Sequence, residues 1–384
     1  METQSPSGVS FRKLDSAKSE IRLLELQAAE NIEEPPVCRI VNVALTDKTE
    51  YVAISCLSAE TEQEPVFINN KRILVPAALG QVLRHVRAVF LDPTVRLDRS
   101  RSPGQGKEKK GPPSWLVQAL KHVKSIFPES PRGRFDEAGE GPLLVWLEPF
   151  CVDRRNAQET AQQLTHMAMV YRSAQIVVGW LGLKTELTDV ALDVLQQVEA
   201  VFPPHFGEPE DKLLHPENYS PQHEWLRKLE HLWEFGTDGV YYSALQDFSA
   251  RPLFHRTWLI DEIATARYPA FLIGDRIVSW KQVIVLNRML EEISNESAVF
   301  PAGLRPVAQS WPLGTIYTML KHYEERKRKE NQEDQRNSAL KQYERRKRNE
   351  QAAQVAGAGA LAYSEMKEKA RKGSVAASSS DAGS

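Results

Sequence analysis

Two unbroken apolar runs stand out in the hydrophobic pattern of this chain, Leu143-Leu144-Val145-Trp146-Leu147 and Ile176-Val177-Val178-Gly179-Trp180-Leu181. A run without polar alternation is the pattern of a strand buried on both faces. Pro149 ends the first run, because proline has no N–H for a sheet. Between the runs, Asn156 fits a helix N-cap and Glu159, three residues on, closes a capping box. Leu164, Met167, Ala168 and Tyr171 follow at helical spacing and predict a core-facing stripe. The stretch reads as a βαβ unit with its two strands side by side in the middle of one sheet.

The same pattern sorts the rest of the chain. Ile21–Leu26 is ambiguous between a helix and an edge strand. Val37–Leu45 and Tyr51–Leu57 read as strands. Val66–Ile68 and Arg72–Val75, joined by Asn69-Asn70-Lys71, predict a hairpin, since asparagine tolerates the positive φ of tight turns. Pro76 suits the first turn of the next helix, whose apolar face is Leu79, Val82, Leu83, Val86 and Val89. Later helix candidates are Leu187–Val201, Gln222–Phe235, Tyr241–Ser249 and Trp258–Ala266. Phe271–Ile273 and Arg276–Val278 flank a Gly274-Asp275 turn, and Ser279 with Gln282 caps a helix to about Ile293. The fold class is α/β: a mixed, partly parallel central sheet flanked by helices, with a helical C-terminal extension.

Composition sets the boundaries. Residues 1–18 lack periodicity and are expected to be a loose terminus, and 19–300 form the α/β domain. A charged, Pro/Gly/Ser-rich surface insertion occupies about 92–141, with one short helix at Trp115–Phe127. Its Gly104-Gln105-Gly106-Lys107 is no P-loop, lacking a preceding strand and a following Ser or Thr. Residues 301–350 form a charged helical extension. There Tyr323-Glu324-Glu325-Arg326-Lys327-Arg328 echoes Tyr343-Glu344-Arg345-Arg346-Lys347-Arg348, without the apolar seam of a coiled coil. Residues 351–384 are Ala/Gly/Ser-rich and expected to be disordered.

The net charge of -2 gives no pull toward nucleic acid or an anionic membrane. Three widely spaced cysteines, Cys38, Cys56 and Cys151, argue against a disulfide framework or zinc site and fit a reducing compartment. His215, His223 and His231 lack metal-ligand spacing, so no metal is expected. With no leader or spanning run, the expectation is an intracellular, cytoplasmic protein; the basic clusters Arg326–Lys329 and Arg345–Arg348 offer a nuclear address, though interleaved glutamates favour a solvated helix face.

Several stretches in order resemble the fungal heterokaryon incompatibility (HET) domain. Ile21–Leu26 resembles its opening segment, which favours the strand reading. Tyr51-Val52-Ala53-Ile54-Ser55 resembles the start of its Tyr-x-Ala-Leu-Ser-Tyr-x-Trp-Gly motif, and Ile68–Arg87 its hairpin and helix. Trp146 and Cys151 match Trp-x-Asp-x-x-Cys-x-Asn-Gln. Glu159, Gln163, Met167, Tyr171 and Ala174 fall at the family's spacing, and Trp180-Leu181-Gly182 closes the block. Arg251-Pro252, Phe254, Arg256-Thr257-Trp258 and Glu262 resemble the later Arg-Pro-Trp-Phe…Arg-x-Trp-x-x-Gln-Glu motif. The likeness covers roughly residues 20 to 295. Departures fall at polar loop positions: Cys56 for tyrosine, Ser58-Ala59 for Trp-Gly, Glu148 for aspartate, Asp153 for asparagine, Arg154 for glutamine, Leu253 for tryptophan and Asp261 for glutamine. The scaffold is kept while candidate chemistry drifts.

The resemblance implies non-self recognition between fungal strains ending in growth arrest or cell death, with protein partners and self-association. Its alternative, through a distant similarity to Toll/interleukin-receptor domains, is a hydrolase cleaving NAD; a cofactor is implied only there. Glu159 and Glu262 are the candidate catalytic residues, and Ser55, Glu148 and Asp153 the candidate ligand-binding ones. Glu148, Asp153 and Glu159 lie at the carboxyl end of a core strand, where open α/β sheets bind ligands. Three have a structural rival: Glu159 as a cap, Glu262 as the partner of Arg256 or Arg267, Ser55 as a backbone hydrogen-bonder. Cys151 fits a packed small residue better than a nucleophile.

Overall fold

The computed structural model describes residues 8–91 and 143–323, each with short interruptions (16–18, 47–48, 50 and 59–60 in the first; 209, 235–237, 257–258, 267–268, 296–298, 301–303, 313–315, 317 and 320 in the second), and scattered positions beyond 323. The chain divides into two compact units, Met1–Tyr323 and Glu324–Ser384. The described positions from 325 to 348 in the second unit are helical. The insertion, with its expected helix at Trp115–Phe127, lies outside the described residues.

In the first unit nine strands form one sheet: β1 (Glu20–Leu26), β2 (Val37–Ala44), β3 (Val52–Ser55), β4 (Gln63–Ile68), β5 (Lys71–Pro76), β6 (Leu143–Leu147), β7 (Ile176–Trp180), β8 (Pro269–Ile273) and β9 (Arg276–Ser279), in the order β5-β4-β2-β1-β6-β3-β7-β8-β9. β6, β3, β7 and β8 are mutually parallel; β1 joins β6 antiparallel, and β4 pairs parallel with β2. The sheet is mixed and partly parallel, as the sequence predicts. The described helices are α1 (Ala77–Leu91), α2 (Ala157–Ser173), α3 (Thr188–Val201), α4 (Val240–Ser249), α5 (Leu259–Ala264), α6 (Trp280–Ser294) and α7 (Arg305–Ser310), with shorter turns between them. None is long and apolar enough to cross a membrane.

Several expectations need correction. The strands of the βαβ unit are not side by side: β3 lies between β6 and β7 and pairs with both. β1 is an interior strand, flanked by β2 and β6. Pro76 ends β5, and the helix starts at Ala77. The stripe of α2 is rotated: Glu159, Gln163, Val170 and Tyr171 are buried, whereas Leu164 and Ala168 face out. Glu159 turns inward because it finds a buried cation, described below. Gln222–Phe235 also resolves into two separate turns, Glu224–Arg227 and Glu230–Trp233.

Both hairpins form as read. Asn69 and Asn70 have φ of 50° and 65°, the left-handed pair of a two-residue turn. Ser279 and Gln282 make the full capping box of α6. Asn156 caps α2 by accepting from the N–H of Glu159, but the Glu159 carboxylate does not return the bond to Asn156.

Register divides the core between two faces. Ala53 pairs with Trp146 and Val177, so these three share a face, and so do Ser55 and Gly179 two residues on. On that face Trp146 meets Tyr171 of α2 edge-on, ring centroids 5.2 Å apart. Trp180 has the opposite parity and meets His85 of α1, also at 5.2 Å. Burial, then the nearby Arg84 charge, lowers the His85 pKa to about 4, so this imidazole is neutral at physiological pH. Gly179 is required by close approach: a Cβ there would stand 2.7 Å from Phe271 Cδ1 and 2.9 Å from Leu253 Cδ2. Gly179→Ala is therefore expected to cost about 1–3 kcal/mol of stability, read as a lowered urea midpoint. No loss would mean that Phe271 and Leu253 give way freely.

Candidate functional site

The carboxyl ends of the parallel strands gather at one edge of the sheet. Ser55 is the last residue of β3 and is 1% exposed. Its hydroxyl donates to the carboxylate of Glu262 on α5. Arg256 Nη2 stands 3.2 Å from the other oxygen of Glu262, and Tyr171 also bonds this carboxylate. Glu262 does pair with Arg256, but in the interior, being 5% exposed; Arg267 lies outside the described residues. Burial raises the Glu262 pKa, while Arg256 and the Ser55 and Tyr171 bonds oppose the rise and the Glu148 charge adds to it. Burial, followed by the Glu262 charge, holds the Tyr171 phenol well above its ordinary value.

This shift has a sign in stability. Glu262 holds its proton more tightly folded than unfolded, so stability falls as pH rises from the ordinary glutamate range through the raised folded value. Glu262→Gln removes that dependence. The stability of the native chain relative to Glu262→Gln, taken from urea midpoints, should decline as pH rises above the ordinary glutamate range. A flat or rising difference would show that Arg256 more than offsets burial.

A second cluster adjoins the first. Arg22, 1% exposed on β1, makes a two-pronged ion pair with Glu159: Nη1–Oε1 2.5 Å and Nη2–Oε2 2.9 Å. Its remaining N–H groups donate to the carbonyls of Cys151 (3.1 Å) and Arg12 (2.6 and 3.2 Å). Glu159 Oε1 also accepts from the N–H of Asp153 at 2.9 Å. Asp153 carries the Arg155 guanidinium at 2.9 Å. Glu148, heading the one-turn helix Glu148–Cys151 that includes Pro149, accepts from Arg154 Nε at 2.7 Å.

The structure thus brings Ser55 and Glu262 into contact, with Glu148 close enough for its charge to act on Glu262. Glu159 and Asp153 belong to the neighbouring Arg22 cluster. Cys151 is a packed residue, 1% exposed, its thiol pushed up to about 12 by burial. His223 caps a short helix, His215 meets Glu217 and His231 meets Gln197; no metal-binding group occurs among the described residues.

The sequence reading assigned no role to Arg22 or Arg251. The signal for Arg22 is a lone cation inside the apolar run of β1, which requires an internal partner. Arg251 donates to the carbonyls of Leu181 (3.2 Å) and Leu183 (2.7 Å), to Thr188 Oγ1 (3.3 Å) and to Asp247 (3.0 Å). It fastens the turn after β7, where Gly182 takes φ +98°. The Arg-Pro motif and the Trp-Leu-Gly motif are therefore two halves of one structural joint.

Residues 134–262 match the model of the family described as heterokaryon incompatibility protein (HET). Over that stretch the chain is similar to a HET domain. Over 294 residues it is 22% identical to heterokaryon incompatibility protein 6, OR allele, of Neurospora crassa, an overlap of 71% of this chain and 36% of that protein. The chain thus spans little more than a third of its relative's length. No solved structure matches. The matched stretch ends at Glu262, whereas Arg22 and Ser55 lie outside it. Each nevertheless bonds a carboxylate inside it, so β1 and β3 complete the polar edge of the sheet.

Proposed function

We propose that this chain serves heterokaryon incompatibility, the rejection of genetically different partners on cell fusion, and acts in it as an interaction module that triggers growth arrest or cell death. The family match over residues 134–262 carries the reading, and the relative's name agrees with it. The state of the carboxylates favours interaction over catalysis. Both oxygens of Glu262 and both of Glu159 are engaged by neighbouring side chains. Neither the family description nor the relative's name carries a catalytic activity.

The test is controlled expression of the full chain in a filamentous fungus, read as colony growth and viability. Growth arrest that persists in Glu262→Gln supports the module. Unchanged growth at every expression level, alone and in fusions with unlike strains, counts against it. Consumption of NAD by the purified chain, lost in Glu262→Gln, would instead favour the hydrolase alternative.

A further inference from the structure

Residues 8–15 belong to no strand or helix, yet part of the segment is buried. Val9 is 3% exposed and sits in the core. The carbonyl of Val9 accepts from Arg155 Nη2 at 2.9 Å. Phe11 lies between two guanidiniums, its ring centroid 4.9 Å from Arg22 Cζ and 5.4 Å from Arg155 Cζ. The carbonyl of Arg12 takes two bonds from Arg22. Sequence pattern gives this segment no anchor because its polar contacts are made by backbone carbonyls.

The receiving side has anchors outside the segment. Arg22 is fixed by Glu159 and the Cys151 carbonyl, and Arg155 by Asp153. Two oriented cations flank an aromatic slot, and each offers donors toward a passing backbone. Such a surface reads an extended peptide: carbonyls give affinity and side-chain slots give selectivity. We propose that this groove is a peptide-docking site, filled here in cis by Val9–Arg12, and that it fits a partner segment with an apolar residue, an aromatic residue two positions on, and a free carbonyl following each. The partner would displace the chain's own segment, which acts as a built-in competitor. The inference stands apart from the incompatibility reading, resting on contacts alone.

The test uses the full chain and a fluorescent peptide of residues 8–15, followed by anisotropy. In cis the native segment competes at high effective concentration, so the native chain should bind the peptide weakly. The Phe11→Ala chain should bind it at least about tenfold more tightly, a factor that Arg155→Ala added to the same chain removes. A peptide carrying Phe11→Ala should lose a similar factor. Equal binding by the two chains, or of the two peptides, overturns the proposal. Should Phe11→Ala prevent folding, hydrogen exchange of the native chain decides. The amides of 9–12 opening well before those of β6 supports an exchangeable segment; opening together with β6 makes it an integral part of the fold and overturns the docking site.

Discussion

Glu159→Ala is expected to lower the unfolding free energy by about 3–5 kcal/mol, the usual cost of leaving a buried charge without its partner. Arg22 is 1% exposed and cannot swing to water, so the loss falls on the folded state. The change also removes the acceptor of the Asp153 N–H, which holds the turn entering α2. Replacing both partners, Arg22→Met with Glu159→Leu, should recover most of the loss, because well-packed apolar groups often match a buried ion pair. Recovery should stay incomplete, since the carbonyls of Arg12 and Cys151 lose their donors. Urea unfolding of the two variants decides. A single change costing no more than the double would mean that Arg22 is hydrated in solution. The outcome also bears on Glu159 as a candidate site residue: its carboxylate would be holding the sheet edge together.

What the sequence disclosed follows from where the information is local. Unbroken apolar runs, Asn-Asn and Gly-Asp turns and the Ser279–Gln282 box are set by neighbours in the chain, and all appear as read. Strand order is not local. β3 inserts between β6 and β7, although it precedes β6 by a long stretch of chain, and no periodicity within 143–181 reports it. The rotation of α2 was hidden for the same reason. Helical spacing alone favours Leu164 and Ala168 as the inner stripe, and the cation on β1 makes Glu159 an inward position instead. The candidate residues were legible as a set at one edge of the sheet, because carboxyl ends of parallel strands gather there. Their grouping into a Ser55–Glu262 cluster and an Arg22–Glu159 cluster was not, since Arg22 and Ser55 come from strands remote in sequence.

Trp146→Ala should be as damaging as the loss of Glu159, costing about 3–5 kcal/mol by cavity formation in a packed core. Trp146 is 1% exposed at the centre of the sheet, edge-on to Tyr171. Tyr171 in turn bonds Glu262, so a void behind the phenol bears on the polar edge as well as on the core. Water entering that void would ease the burial that raises the Glu262 pKa, and the Glu262 carboxyl should then titrate closer to its ordinary range. Trp180→Ala supplies the contrast. Its cavity opens on the opposite face, beside His85, and should lower stability without moving the Glu262 titration. Carboxyl NMR of Glu262 in variants that remain folded, together with urea midpoints, separates the two. A Glu262 titration that shifts equally in both variants would mean that the two faces of the sheet are not insulated, and that Tyr171 is not the link between the core and its charged rim.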